Sequence, residues 1–439
     1  QATHSADSQY IDARLPAMMR NTRLAEPYSN ALSLGRMLVE YEWESALKLT
    51  SVTSLGSRTS FDVFDSTPDP RFPPVAYQLG RSSSMVSNET RLSRRRDGGL
   101  SWVAGFAYQW GRDGQTRALG IPDQPTELDE VTNITYSISA FGQASLPLGS
   151  RFDATLGARM TSARTDSEPG RGGDVSLIRG RQARRVDPTI ALSWRATPRT
   201  SIYGRLQSSY RNGGVAVARG VGRVADFATD EVVMGEVGVR HLRRGPRGLS
   251  ISGAASYTYW TNIQADLVSR RGLPYTANIG DAKVLAIETI ADWSPLKGLN
   301  LGASFLYADN RVTGSLPGQS APQNQHLPDV PNFSGTAQAD YEWGRADMLK
   351  FRLGGSLRYI GRSVLGPGAL LDLSQGNYAV LNLRAGVRHG GTDFSLSIDN
   401  ITDARANRFA LGSPLALFRR DQFVPMRPLT VRAAVGFAW

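Results

Sequence analysis

Residues 152–160 read Phe-Asp-Ala-Thr-Leu-Gly-Ala-Arg-Met. Phe152, Ala154, Leu156, Ala158 and Met160 share one parity, and Asp153, Thr155, Gly157 and Arg159 the other. A strand sends successive side chains to opposite faces, so this stretch is a ribbon with one apolar and one polar side, which helical spacing does not explain. The pattern returns along the chain. Ile251, Gly253, Ala255, Tyr257 and Tyr259 alternate with Ser250, Ser252, Ser256 and Thr258, and Phe351, Leu353, Leu357 and Tyr359 alternate with Arg352, Gly354, Ser356 and Arg358. Phe394, Leu396 and Ile398 do the same with Ser395, Ser397 and Asp399.

Composition narrows what such ribbons build. The 439 residues include no cysteine, four histidines and 50 Lys+Arg against 39 Asp+Glu, a net charge of +11. Without cysteine there is no disulfide framework and no thiolate metal or redox centre. His4, His241, His326 and His389 are too scattered for a transition-metal site, so no metal and no cofactor is expected. Lysine stands only at positions 48, 283, 297 and 350; the other basic residues are arginines spread along the chain. A nucleic-acid binder concentrates its charge beside a recognisable module, so no nucleic-acid partner is expected. Dispersed arginine suits solvated surface, a polar lumen or anionic lipid head groups. Mean hydropathy is −0.29 and no apolar run is long enough for a transmembrane helix. A transmembrane β-barrel escapes that test, because its strands are polar at every second residue.

Two kinds of connection take turns. Short ones fall at 44–45, 95–98, 149–150, 198–200, 245–248, 297–298, 346–347 and 390–392. Long ones, rich in Pro, Gly, Asp and Arg, fall at about 65–75, 112–130, 167–181, 214–227, 267–272, 314–327, 365–374 and 409–425. One rim of short turns and one of long loops is the layout of an outer-membrane barrel. The fold expected is therefore all-β, a transmembrane antiparallel β-barrel of the cell outer membrane with its long loops extracellular. Tryptophan placement agrees: Trp43, Trp102, Trp194, Trp293, Trp343 and Trp439 cluster at the short-turn rim, and Trp110 marks a second aromatic girdle near Tyr108 at the other. Outer-membrane lipid and lipopolysaccharide are the partners such a surface implies.

The last strand alternates Val431, Ala433, Val435, Phe437 and Trp439 with Arg432, Ala434, Gly436 and Ala438. It resembles the C-terminal signal read by the barrel-assembly machinery, with Arg432 at its polar position and Phe437 and Trp439 at its aromatic ones. Ala434 replaces the usual Gly and Trp439 the commoner Phe. That resemblance implies a periplasmic C-terminus.

In order along about 410 residues, local motifs resemble the barrel of TonB-dependent outer-membrane receptors. Leu49 to Ser54 is similar to the family's LTSVT strand, Asn88 to Leu92 to QELRL, and Trp102 to Phe106 to its W-V-x-G strand. Ala140 to Ala144 with Gly157 to Arg159 resembles the AxFGQ and GxR hairpin, and Ser209 to Gly214 resembles GYRPGG with Asn212 for Pro. Glu236 to Gly238, Asn262 to Gln264, Leu327 to Pro331, Asp399 to Asp403 and Arg427 to Val431 follow in turn.

Seventeen strands are read, at 30–43, 46–64, 76–94, 99–111, 131–147, 151–166, 182–197, 201–213, 228–244, 249–266, 273–296, 299–313, 328–345, 348–364, 375–389, 393–408 and 426–439. Residues 1–29 read as an extracellular loop or irregular segment, and 30–439 as a partial barrel. Large outer-membrane transporters have about 22 strands, so about five strands are expected before residue 1. The resemblance adds a plug domain and TonB box, which are not found in this chain. Gln1 to Leu24 is polar, with no signal-peptide core, which fits a removed leader or a chain that begins within a longer protein.

No catalytic signature is present, so no enzyme is expected. Asp123, Glu127, Asp129 and Glu130 offer oxygen ligands for Ca²⁺ but read as a solvated acidic loop. By parity, Arg211, Trp260, Asn262, Gln264, Arg358 and Arg362 face the lumen near the long-loop rim and are the candidate substrate contacts. The resemblance implies ligand-gated import of a scarce nutrient such as a ferric siderophore, a small-molecule or metal-chelate ligand, with energy from TonB through a plug. A passive diffusion porin and a structural or adhesive barrel in a surface complex are the alternatives.

Overall fold

The computed structural model describes residues 1–437 other than 17, 70, 170–180, 219–223, 314–325, 346–347, 369, 408–411 and 418–421. Seventeen long strands carry it: β1 (Tyr28–Glu42), β2 (Leu47–Asp65), β3 (Ala76–Arg94), β4 (Ser101–Ile121), β5 (Gln124–Leu148), β6 (Phe152–Pro169), β7 (Arg181–Thr197), β8 (Thr200–Arg211), β9 (Asp230–His241), β10 (Gly248–Thr261), β11 (Asp281–Ser294), β12 (Leu299–Thr313), β13 (Phe333–Gly344), β14 (Lys350–Ile360), β15 (Tyr378–His389), β16 (Thr392–Asp399) and β17 (Thr430–Phe437). Each pairs antiparallel with the next, from β1 through to β17. The strand count is the one read from the alternation. The seventh short turn, Ala346 and Asp347, and the terminal Trp439 lie outside the described residues.

The two faces are inverted relative to a water-soluble protein. On β6, Leu156 and Met160 are 62% and 60% exposed, while Thr161, Ala163, Thr165 and Ser167 on the other parity are almost fully buried. Apolar side chains point out, where hydrocarbon replaces water, and polar ones point into the lumen. At the short-turn rim Trp43 lies edge-on to Tyr41, Trp194 stacks on Phe152, and Trp343 stacks between Tyr341 and Phe351. The turns there reverse through left-handed residues such as Gly149 (φ 75°) and Gly298 (φ 85°). At Gly298 a Cβ would also collide with the Glu342 carbonyl, so only glycine closes that turn without strain.

Among the described residues no register joins β17 to β1. Ser33–Glu42 and Val431–Phe437 are exposed on both faces, as edge strands are. The outer edge of β1 carries one short strand, Ala2–Ser5, paired with Tyr28–Ala31. Residues 1–29 are thus less irregular than their composition suggests, since Ile11–Asp12 also pairs with Gln422–Phe423 at the long-loop end.

Several boundaries differ from the sequence reading: β16 stops at Asp399 rather than 408, β13 starts at Phe333 rather than 328, and two loops differ more informatively. The stretch 112–130 is ladder, not loop: β4 runs to Ile121 and β5 starts at Gln124, and their hairpin stands beyond the aromatic girdle. Its charged residues obscured the alternation, and the register shifts once within it, between Arg117 (opposite Asp129) and Ala118 (opposite Glu127). Conversely, the wall strands stop at Thr261 and restart at Asp281, short of the expected 266 and 273. Asn262 (φ 53°) and Gly280 (φ 91°), both left-handed, turn the intervening chain away from the wall. The backbone stays paired across the bend, with Ile263 N donating to Gly280 O at 2.7 Å and Ile279 N to Ile263 O at 2.8 Å.

Candidate functional site

The long loops fold into the barrel mouth. Hairpin A, Gly214–Val217 paired with Val224–Phe227, follows β8, and hairpin B, Gln264–Val268 paired with Pro274–Asn278, follows β10. Apolar packing concentrates here: Ile263, Leu267, Tyr275, Ile279 and Leu327 form one buried cluster around hairpin B, and Val131, Val215, Val217 and Val224 another around hairpin A. Burying these side chains offsets the cost of holding both hairpins inside the mouth.

Polar groups of the β4–β5 wall hold the hairpins by their backbones. The Asn133 carboxamide behaves like a strand residue: its Nδ2 donates to Val215 O at 2.8 Å, and Val215 N donates to its Oδ1 at 3.0 Å. Ser167 Oγ donates to the same Oδ1 at 2.6 Å and fixes its orientation. Arg117 is 1% exposed, its Nε donating to Asp129 Oδ1 at 2.6 Å and its Nη2 to Asp129 Oδ2. The remaining Nη1 donates to the carbonyl of Pro274 in hairpin B, which springs from the β10–β11 side of the barrel. Asp129 is therefore a buried ion-pair partner and no part of a solvated acidic loop. No cluster of potential metal ligands occurs among the described residues.

Hairpins A and B are joined to each other. Asn278 Nδ2 donates to Ala228 O at 3.1 Å, and Ala228 N donates back to Asn278 Oδ1 at 2.6 Å. Beside them lies Asp230, 1% exposed, which accepts from Arg211 Nε at 2.9 Å, Trp260 Nε1 at 3.1 Å and Gln264 N at 3.4 Å. The Arg211 guanidinium lies 5.2 Å from the Trp260 ring centroid, and Gln264 Nε2 donates to Asn212 O and Ala228 O. Three of the six candidate contacts, Arg211, Trp260 and Gln264, thus converge on one carboxylate that braces the root of hairpin B. Asn262 is the bend itself. Arg358 and Arg362 lie apart, exposed and without a side-chain hydrogen bond or ion pair among the described residues.

Under the hairpins is a cavity of about 690 Å³, in the range of small-molecule sites. Its apolar lining comes from Phe64, Tyr77, Leu79, Phe227, Leu267, Tyr275, Leu365 and Leu371, and its polar lining includes Arg58, Arg81, Asp113, Gln115 and Asn133. Arg58 donates to Asn30 Oδ1 at 2.8 Å, while Arg81 has no hydrogen bond or ion pair among the described residues. The Tyr77 hydroxyl is buried at the cavity wall beside the Arg117 guanidinium and donates no hydrogen bond among the described residues. None of the six residues singled out from sequence lines this cavity. The same parity argument applied to the upper halves of β2 and β3 selects Arg58 and Arg81; nothing local in the sequence marks Tyr77 or the hairpin contacts. A second cavity of about 560 Å³ lies against the β3–β8 wall, with Arg91, Arg159 and Asp187 among its lining.

A partial barrel with an apolar exterior, a polar lumen and a loop-roofed chamber defines a β-barrel of the outer-membrane receptor type. Residues 12–401 match the family described as TonB dependent receptor-like, beta-barrel, and the chain belongs to that family of outer-membrane receptors and transporters. No curated protein matches the sequence. Among solved structures, the chain is similar to the ferric yersiniabactin uptake receptor FyuA from Yersinia pestis, with a TM-score of 0.69, 16% identity, and 94% of this chain and 60% of that one covered. It is similar to BauA, the ferric preacinetobactin receptor from Acinetobacter baumannii, with a TM-score of 0.70, 15% identity, and coverage of 94% and 63%. The copper transporter OprC gives a TM-score of 0.68, 14% identity, and coverage of 94% and 65%. The chain thus spans 60% to 65% of the length of these three proteins.

Proposed function

We propose that this chain is the substrate-holding barrel of an active importer, which captures a metal chelate at the cell surface in the chamber beneath hairpins A and B. The observation that carries this reading is the roof. A diffusion porin keeps an aqueous path open, whereas here two hairpins fold into the mouth and are fixed to the β4–β5 wall by Asn133 and Arg117. The long loops face outside the cell and the short turns face the periplasm. TonB supplies the energy through a plug carried by the remainder of the protein, whose further strands bridge the exposed edges of β1 and β17, since unpaired strand edges in lipid leave backbone groups unsatisfied. The cavity lining is aromatic and aliphatic with Arg58 and Arg81 beside Asp113 and Asp266, and the arginines suit a chelate with an aromatic or aliphatic ligand shell and anionic oxygens.

The test is binding and conductance of the whole receptor. Saturable binding of a ferric or cupric chelate, lost on substitution of Arg58 and Arg81, together with no steady conductance in planar bilayers, is the expected result. A large constant conductance with no chelate binding overturns the importer in favour of a porin.

A further inference from the structure

The short-turn rim is unevenly charged. From β5 to β12, four successive turns, 149–151, 198–199, 242–247 and 295–298, carry six cations and no carboxylate: Arg151, Arg199, Arg243, Arg244, Arg247 and Lys297. Elsewhere on the same rim the strand ends are balanced. Lys48 pairs with Glu40 at 2.7 Å, Lys350 with Glu342 at 2.7 Å and Arg388 with Asp393 at 2.9 Å, and the β1–β2 turn carries Glu44. In the basic sector Arg151, Arg199, Arg244, Arg247 and Lys297 are exposed, and their side chains make no hydrogen bond or ion pair among the described residues. Two carboxylates stand close by on the strands: Asp153 is taken by Arg195 at 3.4 Å, and Asp292 has no ion pair among the described residues. One free carboxylate faces five free cations.

The turns are knitted into one ledge. Arg195 N donates to Arg151 O at 2.7 Å, and Leu242 N donates to Arg199 O at 2.9 Å, so each turn is tied to the element beside it. Arg243 differs from the other five cations. Its guanidinium donates to Ser294 Oγ, which donates to Asn300 Oδ1 at 2.6 Å, and this joins the β9–β10 turn to the roots of β11 and β12. Neighbouring strands lie about 4.8 Å apart, so the ledge runs for about 29 Å with a turn about every 10 Å. Its exposed apolar side chains, Leu242 and Leu296, stand singly in separate turns.

We infer that this ledge docks the carboxylates of peptidoglycan, the anionic polymer on the periplasmic side of an outer membrane. The inference rests on the proposed orientation, with the short turns in the periplasm. Guanidinium groups take carboxylates through paired hydrogen bonds, and the fields of cations set in a row add. A row with no apolar centre suits a polymer of repeated charges better than a folded protein, whose interfaces are built around a desolvated core.

The test is co-sedimentation of the detergent-solubilised whole receptor with purified sacculi at low salt. The R151Q/R199Q/R244Q/R247Q variant, which spares Arg243, is expected to bind about tenfold less, and the matching quadruple lysine variant to keep most of the binding. Heat-modifiable migration on gels verifies that both are folded barrels. Equal binding by wild type and the glutamine variant overturns the ledge. Undiminished binding to sacculi whose carboxyl groups have been amidated overturns the carboxylate assignment. Capture by phosphatidylglycerol vesicles but not by sacculi reassigns the cations to lipid head groups, and capture by polyglutamate beads but not by sacculi points to an acidic protein; either overturns the polymer. Labelling of R199C by a membrane-impermeant maleimide on intact cells, in a receptor otherwise free of cysteine, overturns the orientation and the site with it. Chelate binding is measured on the same samples: its absence from a wild type that still holds sacculi counts against the import reading alone.

Discussion

The Arg117 guanidinium, on the β4 wall, donates to the carbonyl oxygen of Pro274, a residue 157 positions later in the chain and rooted on the β10–β11 side of the barrel. The contact joins wall segments six strands apart, and Asp129 fills the other edge of the guanidinium, both side chains being buried. Replacing Arg117 by Leu leaves Asp129 as a buried, unpaired charge, which costs about 3–5 kcal/mol. The R117L/D129L variant removes both charges and recovers most of that stability, yet the hold on Pro274 stays lost. Denaturant unfolding is expected to separate the two variants, while hydrogen exchange within 264–278 rises in both. Unchanged exchange in the double variant counts against the contact as the restraint on hairpin B.

Asn133 holds hairpin A by a different chemistry, two neutral hydrogen bonds to one backbone unit. N133L keeps the volume but strands the Val215 N–H and C=O, at about 1–3 kcal/mol for each buried group left unsatisfied. Because the chain has no cysteine, a spin label at A216C reports on this hairpin alone. Its mobility is expected to rise in N133L and, because Asn278 joins hairpin B to Ala228, to rise less in R117L/D129L; no change in the latter counts against that joint. A coupled rise in both shows that the Asn278 bridge to Ala228 makes the roof one unit.

Arg81 and Tyr77 provide the test of the chamber. R81Q is expected to weaken chelate binding by about tenfold or more, the order of one charge-assisted hydrogen bond at about 1.5–3 kcal/mol. Y77F removes a buried hydroxyl that donates no hydrogen bond in the free protein. It is expected to leave stability unchanged or raise it by about 1 kcal/mol while weakening the ligand. Isothermal titration on the folded variants measures both, and R311Q, outside the chamber, serves as the control.

The wall was legible in the sequence because lipid on one side and a polar lumen on the other impose period-two alternation on every strand. The Leu299–Thr313 strand was placed to the residue. The roof was not legible, because it depends on contacts between residues such as Asn133 and Val215 that no local pattern links. Arg211, Trp260 and Gln264 illustrate the limit: parity set them near the mouth together, but it could not show that Asp230 already uses them. Asn262, read as a side chain facing ligand, acts through its left-handed backbone.

Asp329, in the loop between β12 and β13, makes that loop sensitive to pH. Burial pushes its carboxyl above the ordinary aspartate value, opposed by the hydrogen bond that Gln375 Nε2 donates to its Oδ1 at 2.6 Å. A raised folded-state value means that the folded loop binds its proton more tightly than the unfolded chain does. The stabilisation is then fully present below the unfolded value of about 3.9 and is lost as pH rises through the folded one. The loop is expected to pack more firmly on Ser374–Gln375 on acidification and to loosen toward neutrality. D329N mimics the protonated state, retains an Oδ1 acceptor for Gln375 and tolerates the left-handed backbone there (φ 59°). A spin label at D372C should become less mobile between pH 7 and pH 4 in the otherwise unaltered chain, and in D329N should show the low-mobility spectrum throughout. If D329N follows the same pH course, the titrating group is another one and the assignment to Asp329 is wrong.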